Sequence, residues 1–240
     1  MGRAFEFRKE RKFKRWAKMA VQFTRLGKEI AMAVKDSGPH PESNSRLRTA
    51  IQNAKAVNMP KDRIEAAIKR ASEKDSNSYE EHIYEGYAPH GVAILIETAT
   101  DNINRTVANI RSYFTKAGGS LGKTGSLDFI FQRKSVFRFK VDEDIDLEEF
   151  ELELIDGGLE ELYVEDDEEG NDVVVVQTSF EDFGNMQKLL EGKGLEVTAK
   201  LERITLSSTE IGEEDAADIL KLIDKIEEDD DVQAVYHNMA

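Results

Sequence analysis

Apolar positions along the first third of the chain recur at helical spacing. Phe13, Trp16, Ala20, Phe23, Ile30 and Val34 follow one another by three, four or seven residues, one apolar stripe on a long helix. Asp36-Ser37-Gly38-Pro39 ends it, because Gly relaxes the backbone and Pro cannot extend the hydrogen-bond ladder. A second helix fits residues 45–57 with Leu47, Ile51 and Ala54 inward. A third follows Pro60, which suits a first helical turn, with Ile64, Ala67, Ile68 and Ala71 inward. Residues 74–78, Lys-Asp-Ser-Asn-Ser, read as a linker.

Beyond Tyr79 the pattern shortens into alternating strands and helices. Strand runs are predicted at 92–97, 126–131, 136–141, 161–164, 173–177, 196–206 and 232–236, the sixth with a break near Ala199. Helices are predicted from Ile103 to the Gly118-Gly119 pair, at 145–155, 180–190 and 213–227. This order can be cut into two consecutive α/β units. It can also be cut into an outer β-α-β…β-α-β unit interrupted by an inner β-α-β-β-α-β unit. Periodicity allows both.

Charge changes the picture more than composition does. The 240 residues are 40% hydrophobic and 34% charged, with a net charge of −15. That balance supports folded cores with charged surfaces. The charge is segregated: residues 1–70 carry 18 lysines and arginines against 7 carboxylates, a net of +11, and the remainder carries 15 against 41, a net of −26. Arg8, Lys9, Arg11, Lys12, Lys14, Arg15 and Lys18 crowd the start of the first helix, and Arg46 and Arg48 open the second. Such a basic head attracts phosphate backbones, and the acidic body limits how the protein lies on a polyanion.

Several chemistries are excluded or disfavoured. There is no cysteine, hence no disulfide, zinc–thiolate site or cysteine nucleophile. His40, His82, His90 and His237 have no second ligand at metal-like spacing. No apolar run approaches the roughly 20 residues that cross a bilayer, and the basic start has no apolar secretory core. Gly118-Gly119-Ser120-Leu121-Gly122-Lys123-Thr124 ends a helix and leads into a strand, the reverse of a phosphate-binding loop, and its Gly–Lys spacing is one residue short. No catalytic arrangement emerges, and no cofactor or small-molecule substrate is expected. Two stretches offer a secondary contact: Tyr84 and Tyr87 could stack on bases, and Asn104 with Arg105 lies at a helix start suited to a phosphate. Packing of the tyrosines in a turn, and helix capping by Asp101 or Asn102, account for the same residues.

Taken together, Tyr84-Glu85-Gly86-Tyr87, Asp101-Asn102-Ile103-Asn104-Arg105-Thr106, Gly118-Gly119-Ser120-Leu121-Gly122 and Asp231-Val232-Gln233-Ala234-Val235-Tyr236-His237-Asn238 resemble the YebC/PmpR family over essentially the whole chain. Asn44-Ser45-Arg46-Leu47-Arg48 and Asn58-Met59-Pro60-Lys61-Asp62 resemble its helical segment. The start departs from the family's usual Gly-His-Ser-Lys-Trp, and Pro89-His90-Gly91 stands where Pro-Gly-Gly is common. The resemblance implies an α+β protein: an N-terminal three-helix domain (residues 1–78) followed by two ferredoxin-like α+β domains, one (135–199) inserted in the other (79–134 with 200–240). It also implies a cytoplasmic, non-enzymatic protein without a cofactor. Members are designated transcriptional regulators that bind DNA. Relatives, a mitochondrial translational activator among them, act on ribosomes and ease stalls at proline-rich stretches. The expected partners are therefore DNA or ribosomal RNA and the ribosome.

Overall fold

The computed structural model describes residues 3–73, 78–140, 146–166 and 170–240, with side chains of the first helix described from Trp16 onward except Ala17. The chain divides into two compact units. One holds residues 1–54, 59–127 and 208–240, and the other holds residues 55–58 and 128–207.

The first unit begins with three helices, α1 (Arg3–Ser37), α2 (Ser45–Ala56) and α3 (Lys61–Ser72). At about 1.5 Å per residue, α1 is some 50 Å long. It stops at Gly38, whose φ of +89° is a left-handed conformation that side chains disfavour, and whose N–H donates to the Val34 carbonyl at 2.8 Å. Asn44 then stitches two helices together. Its Oδ1 accepts the Leu47 N–H to cap α2, and its amide donates to the carbonyls of Ala33 and Gly38. Of the expected stripe on α1, Ile30 and Val34 are buried, together with Leu26 and Ala33 beside them. Trp16 and Ala20 are exposed, which corrects the expectation for them, and Phe23 is half-buried under Arg63 of α3. Phe13 lies outside the described side chains.

A four-stranded antiparallel sheet completes this unit, built from β1 (Glu80–Tyr87), β2 (Ala93–Thr100), β3 (Ser120–Leu121) and β8 (Val232–His237) in the order β3-β1-β2-β8. Helices α4 (Ile103–Lys116) and α7 (Glu213–Glu227) belong to the same unit. Ile110 and Phe114 of α4, Ile219, Leu222, Ile223 and Ile226 of α7, and Val92, Ile94, Ile96 and Val232 form one buried core.

The second unit contains β4 (Phe131–Phe139), α5 (Leu147–Leu154), β5 (Leu159–Asp166), β6 (Asp172–Thr178), α6 (Phe183–Gly192) and β7 (Thr198–Thr205). Its sheet order is β5-β6-β4-β7, all antiparallel, the ferredoxin-like β-α-β-β-α-β arrangement. Phe137, Phe139, Phe150, Leu154, Val174, Val176, Met186 and Leu190 form its core.

Three assignments change. Residues 126–131 and 136–141 are not two strands. The polar Gln132-Arg133-Lys134 stay in the ladder opposite Ile204, Arg203 and Glu202, so β4 is continuous, and residues 124–130 form turns. Likewise β7 runs unbroken past Ala199. The strands expected at the junctions of the outer domain, near residues 135 and 199, lie wholly in the second sheet. Their places in the first sheet are taken by β1, which the polar stretch Glu80-Glu81-His82 conceals, and by the two-residue β3.

Candidate nucleic-acid interface

The basic helix is fastened to the first sheet by one buried charge cluster. Lys28, on the buried half of α1, donates from Nζ to three oxygens: the carbonyls of Ala99 (2.9 Å) and Asp230 (2.7 Å), and Asp231 Oδ1 (2.9 Å). All three of its protons therefore have acceptors. Asp231, buried just before β8, turns its other oxygen toward the start of α4. There Oδ2 accepts from Arg105 (2.7 Å), Thr106 Oγ1 (2.8 Å) and Thr100 Oγ1 (3.1 Å). Burial alone would raise the Asp231 pKa, but the donors Arg105, Lys28 and Thr106 outweigh burial and hold it at about 2. One ionised carboxylate thus joins helix α1, strand β2 and helix α4. Arg25, one turn earlier on α1, adds a bond from Nη2 to the Glu227 carbonyl at 3.0 Å, and the Lys28 ammonium lies 5.1 Å from the centre of the Tyr79 ring.

A second buried carboxylate shapes the far end of the sheet. Glu85 of β1 accepts from the backbone N–H groups of Gly125 (2.7 Å) and Leu127 (2.6 Å) and from Ser126 Oγ (3.2 Å), while its carbonyl accepts the Gly122 N–H at 2.7 Å. The glycine-rich stretch is therefore a tethered segment that follows the C-terminal end of α4 and does not open a helix. Close backbone approach explains its glycines. A Cβ at Gly119 would lie 2.5 Å from the Tyr87 carbonyl oxygen, and one at Gly86 2.7 Å from that of Ser120.

The candidate contact residues fall in different places. Arg8, Lys9, Arg11, Lys12, Lys14 and Arg15 lie on α1, with side chains outside those described, and Lys18 is exposed. Arg46 is exposed at the start of α2 and ion-paired with Glu81. Arg48 is half-buried, donating to the Pro41 carbonyl at 3.4 Å. Tyr84 packs partly buried against the core of the first unit, where burial and then the nearby Asp231 raise its pKa. Tyr87 is half-buried at the end of β1, opposite Ala93 and Ser120. Asn104 is exposed in the first turn of α4. Arg105 is half-exposed, but one guanidinium nitrogen is shared between Asp101 (2.9 Å) and Asp231 (2.7 Å). Asn102 caps α4, its Oδ1 accepting the Arg105 N–H at 3.1 Å. Sequence reasoning missed Lys28, Asp231 and Glu85. The signal for one of them, Asp231, was present, since the Asp101–Thr106 motif and the motif opening with Asp231 meet here from more than 120 residues apart.

Two consecutive stretches of the chain match models of one family. Residues 3–74 match the TACO1/YebC protein N-terminal domain, and residues 79–239 match the TACO1/YebC second and third domain. The chain belongs to the TACO1/YebC family. A Flavobacterium johnsoniae relative named "Probable transcriptional regulatory protein" is 58% identical over 240 residues, covering 100% of this chain and 99% of the relative. A Myxococcus xanthus relative of the same name is 52% identical, with both chains fully covered. The crystal structure of a conserved hypothetical protein from Aquifex aeolicus superposes with a TM-score of 0.79 at 38% identity, over 93% of this chain and 90% of that one. The TACO1/YebC assignment agrees with the motifs read along the sequence and with an N-terminal helical segment followed by α+β sheet domains. Among the described residues, no helix is long and apolar enough to cross a membrane, and no group of three or more His, Asp or Glu side chains is placed to hold a metal ion.

Proposed function

We propose that this TACO1/YebC protein is a non-enzymatic, nucleic-acid-binding regulator of gene expression that works in the cytoplasm, with the first half of α1 as its binding element and DNA as its target. The observation that carries this reading is the charge segregation: a net of +11 in residues 1–70 against −26 in the rest. The basic run sits on the part of α1 that precedes its buried half, so it is offered from a helix whose other end is fixed through Lys28 and Arg25. Phosphate contacts from such a run position a protein on nucleic acid without reading its sequence. The relatives' name supports a regulatory role.

A second reading, a ribosome-associated translation factor that relieves stalling at proline-rich stretches, is favoured by the acidic remainder. A charge of −26 repels a long bare duplex, whereas on a ribosome the basic head would meet RNA and the acidic domains basic proteins. Sedimentation of cell lysate on a sucrose gradient, with samples pretreated with DNase or RNase, separates the two. On the DNA reading the protein leaves the heavy fractions after DNase alone. On the ribosome reading it travels with ribosomal particles and is released by RNase. A protein that stays at the top of every gradient refutes both.

A further inference from the structure

We infer that a groove between α4 and α7 binds a compact phosphate monoester carried on a flat ring, a molecule of mononucleotide size. The site goes beyond the proposed function and does not depend on it. The two helices share the core of the first unit through Ile110 and Phe114 of α4 and Ile219, Leu222 and Ile223 of α7. Beside that core they leave a cavity of about 440 Å³. Small-molecule sites span roughly 300–1,000 Å³. Helical spacing brings its lining together: Tyr113, Lys116 and Ala117 on α4, and Asp218, Lys221, Leu222 and Lys225 on α7. The buried Leu222, Ala117 and the Tyr113 ring make its walls apolar.

The Tyr113 wall is held in place. Its hydroxyl donates to Asp229 Oδ2 at 3.0 Å, and the Asn109 amide donates to the same oxygen at 3.1 Å. The other oxygen of Asp229 accepts the Asp231 N–H at 3.0 Å. Burial, and then the bond to Asp229, push the Tyr113 pKa up to about 12, so the phenol stays neutral and adds no charge to the groove.

Charge selects the ligand. Three lysines against Asp218 leave the lining at +2, in a chain whose net charge is −15. Lys221 and Lys225 bond to Asp218 and Glu228, each at 2.8 Å, but both are exposed pairs three residues apart on one helix. Such pairs hold little energy and can yield to a better-placed anion. A phosphate monoester carries about −1.5 to −2 charges near pH 7, which complements the lining. A long polyanion does not fit. Glu213, Glu214 and Asp215 precede these lysines on α7, and Glu227 to Asp231 follow them, so an extended strand is repelled at both ends. The apolar walls then favour a ring on the phosphate over a bare ion.

The test titrates the isotope-labelled full chain with four probes, followed by amide chemical shifts: AMP, inorganic phosphate, adenosine and a twelve-nucleotide oligo(dA). AMP should shift the amides of Lys116, Ala117, Lys221 and Leu222, and bind at least roughly tenfold tighter than phosphate or adenosine alone. Replacing Lys116 and Lys221 together by Gln should weaken AMP by roughly tenfold or more, since charged hydrogen bonds are lost. K61Q, at an exposed lysine on α3, should leave AMP affinity unchanged. Circular dichroism should match wild type in both variants, since all three lysines are exposed. AMP affinity should also survive replacement of Arg11, Lys12, Lys14 and Arg15 by Gln, which separates this site from the basic head. Absence of these amide shifts with AMP in the millimolar range overturns the proposal, as does equal affinity for AMP and inorganic phosphate. Tighter binding of oligo(dA) than of AMP at the same amides overturns the compact ligand. Loss of AMP binding in the head variant places the nucleotide on the basic head and likewise overturns the site.

Discussion

Replacing Asp231 by Asn perturbs the cluster that fixes α1 to the sheet, and its cost can be bounded from two directions. The carboxylate falls from an ordinary 3.8 to about 2 in the fold. By linkage that difference corresponds to roughly 2 kcal/mol of stability carried by the ionised form. Because the folded value is the lower one, this stability is fully present well above pH 4 and is lost as pH falls through about 2. Asn removes more than the ionised state. Lys28 and Arg105 both aim donors at residue 231, from 2.9 and 2.7 Å, so an amide must turn its own NH2 toward one of them. Breaking a buried ion pair from one side costs about 3–5 kcal/mol. D231N should therefore destabilise the first unit by about 2–5 kcal/mol at pH 7, read by urea unfolding followed by circular dichroism. Hydrogen exchange should quicken at the Ala99 amide, which donates to the Asp231 carbonyl at 2.8 Å. The gap between wild type and variant should shrink as pH drops from 5 toward 2. K28M should cost less, because Asp231 keeps Arg105, Thr100 and Thr106 as donors. A D231N penalty below about 1 kcal/mol, or a penalty unchanged between pH 5 and 2, refutes the assignment of Asp231 as an ionised tether.

Two further expectations concern the architecture. Gly119→Ala should lower stability by about 1–3 kcal/mol in urea unfolding, because the added Cβ meets the Tyr87 carbonyl and nothing there is a flexible side-chain end; a neutral result would mean that the close approach of β3 to β1 relaxes freely. Excising residues 128–207 and joining 127 to 208 with a short flexible linker should leave a folded first unit by circular dichroism, since all four strands of its sheet lie outside the excised segment; an unfolded product would show that the second unit is needed to hold the first.

Much of this architecture could be read along the chain because its signals are local. Helix α7 was placed at 213–227, where it lies, since its inward-facing Ile219, Leu222, Ile223 and Ile226 follow helical spacing and Gly212 precedes it. The inner β-α-β-β-α-β order was one of the two cuts that the same local periodicity allowed. What escaped depended on partners distant in sequence. Strand β1 looks polar until Glu85 is seen to be consumed by the amides of residues 125 and 127, forty residues away. That same tether keeps residues 124–130 in turns although they carry Leu127, Phe129 and Ile130 and read as a strand. The apolar stripe of α1 predicted burial at Trp16 and Ala20, but spacing reports only which residues share a face, not how far along the helix its neighbours extend. For the interface, the basic run was plain in sequence. The anchoring role of Lys28 was not, because a lysine on a basic helix gives no hint that a buried aspartate two hundred residues later awaits it.

The account rests on the basic head binding phosphate, and the most direct measurement of that is the salt dependence of nucleic-acid affinity in a variant with Arg11, Lys12, Lys14 and Arg15 changed to Gln. Seven cations spread around a helix that turns about 100° per residue cannot all meet one backbone. If roughly half of the four replaced residues touch phosphate, the slope of log affinity against log salt should become shallower by about 1.4–1.8, at roughly 0.7–0.9 per contact. Affinity at low salt should fall steeply while circular dichroism keeps the helix content, because Leu26, Ile30 and Val34 still bury the far half of α1. A folded variant with unchanged affinity and unchanged slope would contradict the account, leaving the basic head as solvated surface.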